Sequence, residues 1–342
     1  MTAGPARDVT DGGIAAGRPE LVPRLEAFRG ELTGYCYRML GSAFEAEDAV
    51  QESMVRAWRN LDRYDEDRGA LRSWLYTIAT NICLDMLRSA KRRARAIDLG
   101  PSWSAGPSLG TPLPESAWVQ PIPDHRILPT GADPAEVAVQ RETIRLAFVA
   151  ALQHLPPRQR AVLILRDVLC WTAEEVARLL DTTAASVSSA LQRARSTLKG
   201  TGMISTEPLC QLDETQRALL VRYCDAFERY DVENLVALLH EDATMSMPPF
   251  AWWLRGRAEI RRAILGSGGA CADARLVPTS ANGSPAFGQY RRGGPDGGYQ
   301  PFALVVVEIS GELITGITTY LDPERLFPLF DLPMSLGAAT PV

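Results

Sequence analysis

The sequence predicts a multidomain chain in which two all-helical modules precede an α+β module. Three observations carry this. Apolar residues recur at helical spacing in two stretches before residue 200, and a Pro/Gly/Ser-rich stretch separates them. After residue 212 the pattern changes to helices followed by alternating or apolar β-type runs. At 342 residues the chain suits two or three cores better than one. Its composition, 46% hydrophobic and 23% charged, excludes wholesale disorder and collagen-like structure. No apolar run approaches the roughly 18–20 residues of a membrane span, and the first 19 residues lack the apolar segment of a secretory signal, so no membrane contact is expected. Six cysteines without a C-x-x-C pair, together with only three histidines, point to reduced thiols in a cytoplasmic setting and to no metal site.

In the first module Leu21, Leu25, Phe28, Leu32, Tyr35 and Met39 predict one amphipathic helix, closed by Gly41. Ser42 and Glu45 form a capping-box pair for the next helix. That helix carries Ala46, Ala49, Val50, Met54, Ala57 and Trp58 on one face and Glu47, Asp48, Gln51, Glu52, Arg56 and Arg59 on the other. A charged loop over 62–69 leads to a third long helix, expected over 71–95. Residues 99–133 read as a linker in which Trp118 and Ile122 can dock locally.

The second module opens at Asp133-Pro134, an N-cap and first-turn pair. Val137, Ile144, Phe148, Ala151, Leu152 and Leu155 predict a helix up to Pro156-Pro157, and residues 160–169 a buried apolar one. Thr172 and Glu175 cap a short helix ending at Leu180, and Thr183 caps another over 184–199, which together describe a helix-turn-helix. Its second helix turns Val187, Leu191, Ala194 and Leu198 inward. Ala184, Ala185, Ser188, Ser189, Gln192, Arg193, Arg195 and Ser196 face outward, small enough for close approach to a major groove, with Gln and Arg able to read base edges. A solvated basic bundle helix is the bland alternative. In the third module, helices are expected at 212–228 and 232–239. Strands are expected at 243–247, 276–281, 286–291, 302–309 and 313–320, with Ser310-Gly311-Glu312 as a hairpin turn.

The net charge of −5 hides an asymmetry. Residues 1–200 hold 25 bases and 24 acids, whereas residues 201–342 hold 11 and 17. The run RSAKRRAR at 88–95 has five bases and no acid, so nucleic acid is not excluded. Just before it, Trp74, Tyr76 and Asn81 add stacking faces and an amide, a combination suited to unpaired bases. Ordinary core packing and a solvated helix end are the competing explanation.

The stretches EAEDAVQESMVRAWR (45–59), RSWLYTIATNICLDMLR (72–88) and LPPRQRAVLILRDVLCWTAEEVARLLDTTAASVSSALQRARSTL (155–198) together resemble regions 2 and 4 of bacterial extracytoplasmic-function (ECF) sigma factors. The resemblance implies a subunit that directs the RNA polymerase core to promoter DNA, with no catalysis and no cofactor of its own. It implies core binding at Asp48, Gln51 and Glu52 against the β′ clamp helices, with the β flap as a second contact. It implies −10 recognition and melting by the 65–72 loop with Arg72, Trp74, Asn81, Arg88, Lys91 and Arg92, a flipped base being caught by that loop. It assigns the −35 element to Ala184, Ala185, Ser188, Ser189, Gln192, Arg193 and Arg195. The division it implies is a flexible tail (1–19), region 2 (20–98), a linker (99–133), region 4 (134–200), a short linker (201–211) and a C-terminal domain (212–335). Asp181 stands where many members have Gly, and Asp tolerates the left-handed backbone that the turn needs. Ser188 and Ala190 stand where bases are often found early in the recognition helix.

The C-terminal fragments Asp242-Ala243, GRAEI (256–260) and ELITGITTYLDPERL (312–326) are similar to the SnoaL-like, NTF2-type cone, and WVQPIPD (118–124) is similar to the SigG-type ECF subgroup, whose members commonly lack a separate anti-sigma partner. Such cones enclose a pocket. Met245, Met247, Trp252, Trp253, Tyr290 and Tyr320 are its candidate wall for a small ligand, although core packing explains them nearly as well. Some cones are isomerases or cyclases using Asp/His pairs, and His240, Asp242 and Glu308 are the nearest equivalents here. The acidic module is expected to pack on the sigma regions and tune them, competing with promoter phosphates. The rival readings are a stand-alone helix-turn-helix regulator and a fusion carrying a working isomerase or cyclase domain.

Overall fold

The computed structural model describes residues 21–66, 69–88, 92–106, 108–128, 134–201, 212–269, 272–293 and 297–337. The tail over 1–19, Lys91, the N-cap residue Asp133 and all of the short linker at 201–211 except Thr201 lie outside them. The first module is built from α1 (Leu21–Glu26), α2 (Arg29–Leu40), α3 (Ala43–Arg59) and α4 (Leu71–Met86). The single helix expected over the first two is broken at Ala27-Phe28, where the Phe28 amide bonds the Leu25 carbonyl and tightens the turn. Gly41 ends α2 in the left-handed region with φ 73°. Ser42 then caps α3 by accepting from the Glu45 amide at 3.3 Å. The reciprocal half of that capping box is missing, because the Glu45 carboxylate pairs with Arg93 instead.

The third helix is shorter than expected. It stops at Met86, and Arg92–Arg95 lies outside any helix. Buried Arg93 reaches Glu45 at 2.5 Å and the carbonyls of Glu115 and Trp118 at 3.0 Å each, while Arg95 pairs with Asp98 at 3.1 Å. These partners hold the strand-like course that a continued helix would forfeit.

The second module holds α5 (Pro134–Ile144), α6 (Leu146–Leu152), α7 (Pro157–Leu163), α8 (Ala173–Leu179) and α9 (Ala184–Thr201). The one helix expected up to Pro156 breaks at Arg145, whose ψ of 139° is extended, and the buried helix continues past α7 as a π turn over Ile164–Val168. The capping box of Thr172 and Glu175 is complete. Leu32, Tyr35, Leu75, Tyr76, Val149, Leu163, Trp171 and Val187 belong to one core that runs through both helical modules.

The third module contains α10 (Glu214–Glu228), α11 (Val232–Ala237), β1 (Leu239–Ser246), β2 (Trp253–Arg255), α12 (Arg257–Gly266), β3 (Arg275–Ala281), β4 (Ser284–Arg292), β5 (Tyr299–Ser310), β6 (Leu313–Tyr320) and α13 (Pro323–Leu329). The sheet order is β2-β1-β6-β5-β4-β3, with only the β1–β6 pair parallel. Beyond the sequence expectation are β2, α12, α13 and a β3–β4 turn at Asn282-Gly283, both with positive φ. Both faces of the sheet are buried, which explains the unbroken apolar run of β5. Phe287, Val305, Val307 and Ile317 meet the core beside α10–α12, whereas Ala286, Tyr290, Leu304, Val306 and Tyr320 join the core of the helical modules.

The described part of the linker, residues 99–106 and 108–128, is docked rather than loose. Trp118, Val119 and Ile122 are buried, and Ala94 pairs with Trp118. The Asn282 side chain lies at the centre of the seam. Its Nδ2 donates to Tyr37 Oη at 2.7 Å and to the Ile144 carbonyl at 2.6 Å, and its Oδ1 accepts from the Ile122 amide at 3.0 Å. The Gly283 amide donates to Asp124 at 2.8 Å, and the Tyr37 hydroxyl donates to the Gln120 carbonyl at 2.7 Å. At the rim Arg325 pairs with Glu115 and lies 4.0 Å over the Phe44 ring.

Arg160 ties α7 to the end of α2. It is buried, donates to the carbonyls of Met39 and Leu155 and to Gln153 Oε1, and burial pushes its pKa down to about 10. Replacing it with Ala strands these acceptors, each worth about 1–3 kcal/mol when left unpaired. Arg160→Ala is therefore expected to lower the urea unfolding midpoint by the equivalent of about 3 kcal/mol or more. Equilibrium denaturation followed by fluorescence checks this, and an unchanged midpoint would deny the contact its role.

Candidate nucleic-acid interface

The helix-turn-helix is formed by α8 and α9, joined through Asp181 in the left-handed region at φ 49°. The Thr183 hydroxyl accepts from the Ser186 amide at 3.2 Å and starts α9. Val187, Leu191, Ala194 and Leu198 are all buried, so the opposite face is fixed outward. Ala185, Ser188, Ser189, Gln192, Arg193 and Arg195 are exposed on it, and Ala184 is half-buried. Ser188 donates its hydroxyl back to the Ala184 carbonyl at 3.0 Å, which leaves Gln192 and Arg193 as the long polar groups at the middle of the face. Arg195 pairs with Asp167 at 2.6 Å, and this bond raises the guanidinium pKa. Exposed pairs of this kind hold weakly, so a phosphate can exchange for the carboxylate.

On the first module, Trp74 stacks at 5.2 Å on Tyr64. Trp74, Ile78 and Asn81 of α4 line a cleft of about 270 Å³ with Arg56, Asn60 and Arg63. An aromatic face, two amides and two guanidinium groups can stack, hydrogen-bond and neutralise a single extruded nucleotide. Asn60 and Arg63 were not among the residues expected from the sequence. They follow α3 at a spacing that only the folded loop brings opposite α4.

Arg72 does not share this cleft. It pairs with Glu31, and its guanidinium lies 5.3 Å over Trp171 and 5.5 Å over Tyr76. Glu31 also accepts from the Tyr76 hydroxyl at 2.9 Å, and burial raises that phenol's pKa. Arg72 therefore faces the second module. Arg88 is exposed beside Asp85 at 3.1 Å, and Arg92 contacts His154 Nδ1 at 3.0 Å. With Arg93 and Arg95 engaged internally, the five-base run does not form one basic patch. Asp48, Gln51 and Glu52 are exposed on α3, and Glu52 pairs with Arg56 at 2.6 Å.

In the third module a cavity of about 680 Å³ opens between the concave sheet face and α10–α12. Met245, Met247 and Trp252 line it. The other three candidate wall residues are placed elsewhere. The Trp253 indole donates to the Gly100 carbonyl, Tyr290 packs edge-on to Phe327, and Tyr320 reaches the Val119 carbonyl. Alternation along β4 and β5 puts Gln289, Arg291 and Val305 on the wall, a parity that the strand register determines. His240 accepts from the Asp242 amide at 3.1 Å, Asp242 pairs with Arg255, and Glu308 lies in a crevice on the opposite sheet face with Trp118 and Val119. Among the described residues no His/Cys/Asp/Glu group is arranged to hold a metal, and no helix is long and apolar enough to cross a membrane.

Family models match at residues 25–93 (Sigma-70 region 2), 145–198 (Sigma-70, region 4) and 220–316 (SnoaL-like domain). The chain is 42% identical over 323 residues to the ECF RNA polymerase sigma factor SigG of Mycobacterium tuberculosis, covering 93% of this chain and 85% of the relative. It is 31% identical over 255 residues to SigJ of the same organism, covering 72% of each. The crystal structure of M. tuberculosis SigJ aligns with a TM-score of 0.57 at 25% identity, over 91% of this chain and 100% of that one. With both sigma-70 regions in order, a SnoaL-like domain behind them and likeness along nearly the whole length, the chain belongs to the ECF RNA polymerase sigma factors.

Proposed function

We propose that this sigma factor, which binds RNA polymerase core and directs promoter-specific initiation, is held in a closed, self-restrained form by its own C-terminal domain. The observation that carries the restraint is Asn282. One side chain of the C-terminal domain bonds Tyr37 of region 2, Ile122 of the connector and Ile144 at the entrance to region 4. A subunit that reads two separate promoter boxes must part its two reading modules along the duplex. In the closed form Arg72 of region 2 sits under Trp171 of region 4. Opening releases that surface.

In the open complex the exposed α3 face at Asp48, Gln51 and Glu52 meets the β′ clamp helices, and region 4 meets the β flap. The Trp74–Asn81 cleft takes a −10 base turned out of the stack, with Arg88, Lys91 and Arg92 along the phosphates and Arg72 freed from Trp171. The outward face of α9 reads the −35 element, chiefly through Gln192 and Arg193. The C-terminal domain works as a regulator rather than a catalyst, in the cytoplasm beside the polymerase. In support of this, His240 and Asp242 are engaged with each other and with Arg255, outside the cavity lining.

In vitro transcription with purified core polymerase, followed by sequencing of the RNA 5′ ends, tests the whole reading. Asn282→Gly keeps the left-handed turn and removes the amide. It should raise promoter-specific transcript roughly fivefold or more, as expected for losing hydrogen bonds worth about 1 kcal/mol or more in total. Unchanged output from a normally folded variant would overturn the restraint. Arg193→Ala should lower transcription from a −35-dependent promoter by roughly tenfold, the loss of one base contact. Core affinity, measured in parallel by pull-down, should stay unchanged.

A further inference from the structure

Helix α3 turns outward a longer line of side chains than Asp48, Gln51 and Glu52. Phe44, Asp48, Gln51, Val55 and Trp58 follow one another at alternating steps of four and three residues, which keeps them on one face of the helix. Asp48, Gln51 and Trp58 are exposed, and Phe44 and Val55 are half-buried. Trp58 is 41% exposed, although the sequence pattern assigns it to the inward face with Ala57. A line of this spacing, with an aromatic ring at each end, suits a helical partner lying along it.

The two ends of the line differ. Trp58 is open, whereas two guanidinium groups from outside region 2 cover the first turns. Arg325 of α13 lies 4.0 Å over the Phe44 ring, steadied by its pair with Glu115 of the connector. Arg126 of the connector pairs with Glu47 at 3.6 Å. Both arginine side chains are 42% exposed, and exposed contacts of this kind hold weakly, so a partner can displace them. Asp48 comes one turn after Phe44 and directly after Glu47, so a partner that reaches Asp48 from this end meets both guanidinium groups.

A stable protein contact covers about 800 Å² on each side, roughly 20–30 residues. Asp48, Gln51 and Glu52 span little more than one helical turn, so a contact centred on them has to spread along α3. We infer that the whole line from 44 to 58, about 21 Å long at 1.5 Å per residue, docks the β′ clamp helices, and that α13 and the connector cover its first end. Core enzyme and the C-terminal domain then compete for Phe44 and Glu47. Basic side chains of the clamp take the places of Arg325 and Arg126, because the acids on this face call for that charge. Trp58, at the uncovered end, is the anchor of the first encounter. The inference rests on the core contact proposed above and is independent of the restraint by Asn282.

The test places a photoreactive ring at this position in the full-length protein, as Phe44→p-benzoylphenylalanine. Irradiated alone, the protein should form internal adducts on α13 around Arg325. With saturating core polymerase, adducts should form on β′ and those on α13 should disappear. Absence of β′ adducts, or α13 adducts that persist in the bound complex, would overturn the shared surface. Titration with core polymerase adds affinities. The double variant Arg126→Ala, Arg325→Ala should bind core roughly fivefold tighter, as expected for the loss of two exposed contacts. Trp58→Ala should bind roughly tenfold more weakly, as for an anchoring aromatic. An unchanged affinity in the double variant rules out the competition, and an unchanged affinity in Trp58→Ala rules out the anchor. If the unaltered protein does not bind core, the proposed core contact fails and this inference with it. If Asn282→Gly leaves transcription unchanged while adducts still move from α13 to β′, the restraint fails and the competition stands.

Discussion

A single buried amide organises this molecule. Asn282 is 1% exposed, at the tip of a hairpin, and its donors and acceptor are shared among region 2, the connector and the helix break ahead of region 4. Each partner is itself buried, so none can turn to water without moving a whole element. The carbonyl at Ile144 is available because α5 ends there, and the break between α5 and α6 is part of the same arrangement. Tyr37, which accepts from Asn282 and donates to Gln120, passes the constraint on to Ser42 at the start of α3.

Much of the helical part was legible in the sequence because local rules decide it. The Thr172–Glu175 capping box, the left-handed Asp181 and the inward set Val187, Leu191, Ala194 and Leu198 follow from spacing and side-chain chemistry alone. The elements that differ are those where a distant partner outbids local preference. Helix α4 stops at Met86 while Arg93 in the following chain is drawn to Glu45 and to the Glu115 and Trp118 carbonyls, and the Pro-rich linker is held by surfaces more than a hundred residues away. The Asn282-Gly283 pair, flanked by β-type runs, is the strongest short hairpin signal available, and it marks both an unforeseen turn and the seam.

The candidate site divides in the same way. Residues on one helix face, such as Gln192 and Arg193, were readable from periodicity. The cleft beside Trp74 needed Asn60 and Arg63 from a loop, and the cavity wall needed strand parity, which is why Tyr290 and Tyr320 fall on the opposite face of the sheet. The seam is joined mainly by neutral hydrogen bonds and apolar contacts, with the Arg325–Glu115 and His125–Asp331 pairs at its edge.

The core shared by both sigma regions and the convex sheet face has a thermodynamic consequence for assembly. Because side chains such as Tyr320, Val306 and Ile122 are buried only while the parts stay together, separation wets apolar surface at roughly 25 cal/mol per Å². That deficit has to be made good by contacts formed elsewhere at the same moment. On the proposed opening, loading onto polymerase is an exchange of one set of interfaces for another, and the fraction of molecules engaged rises with the supply of vacant core enzyme instead of with the abundance of the factor alone.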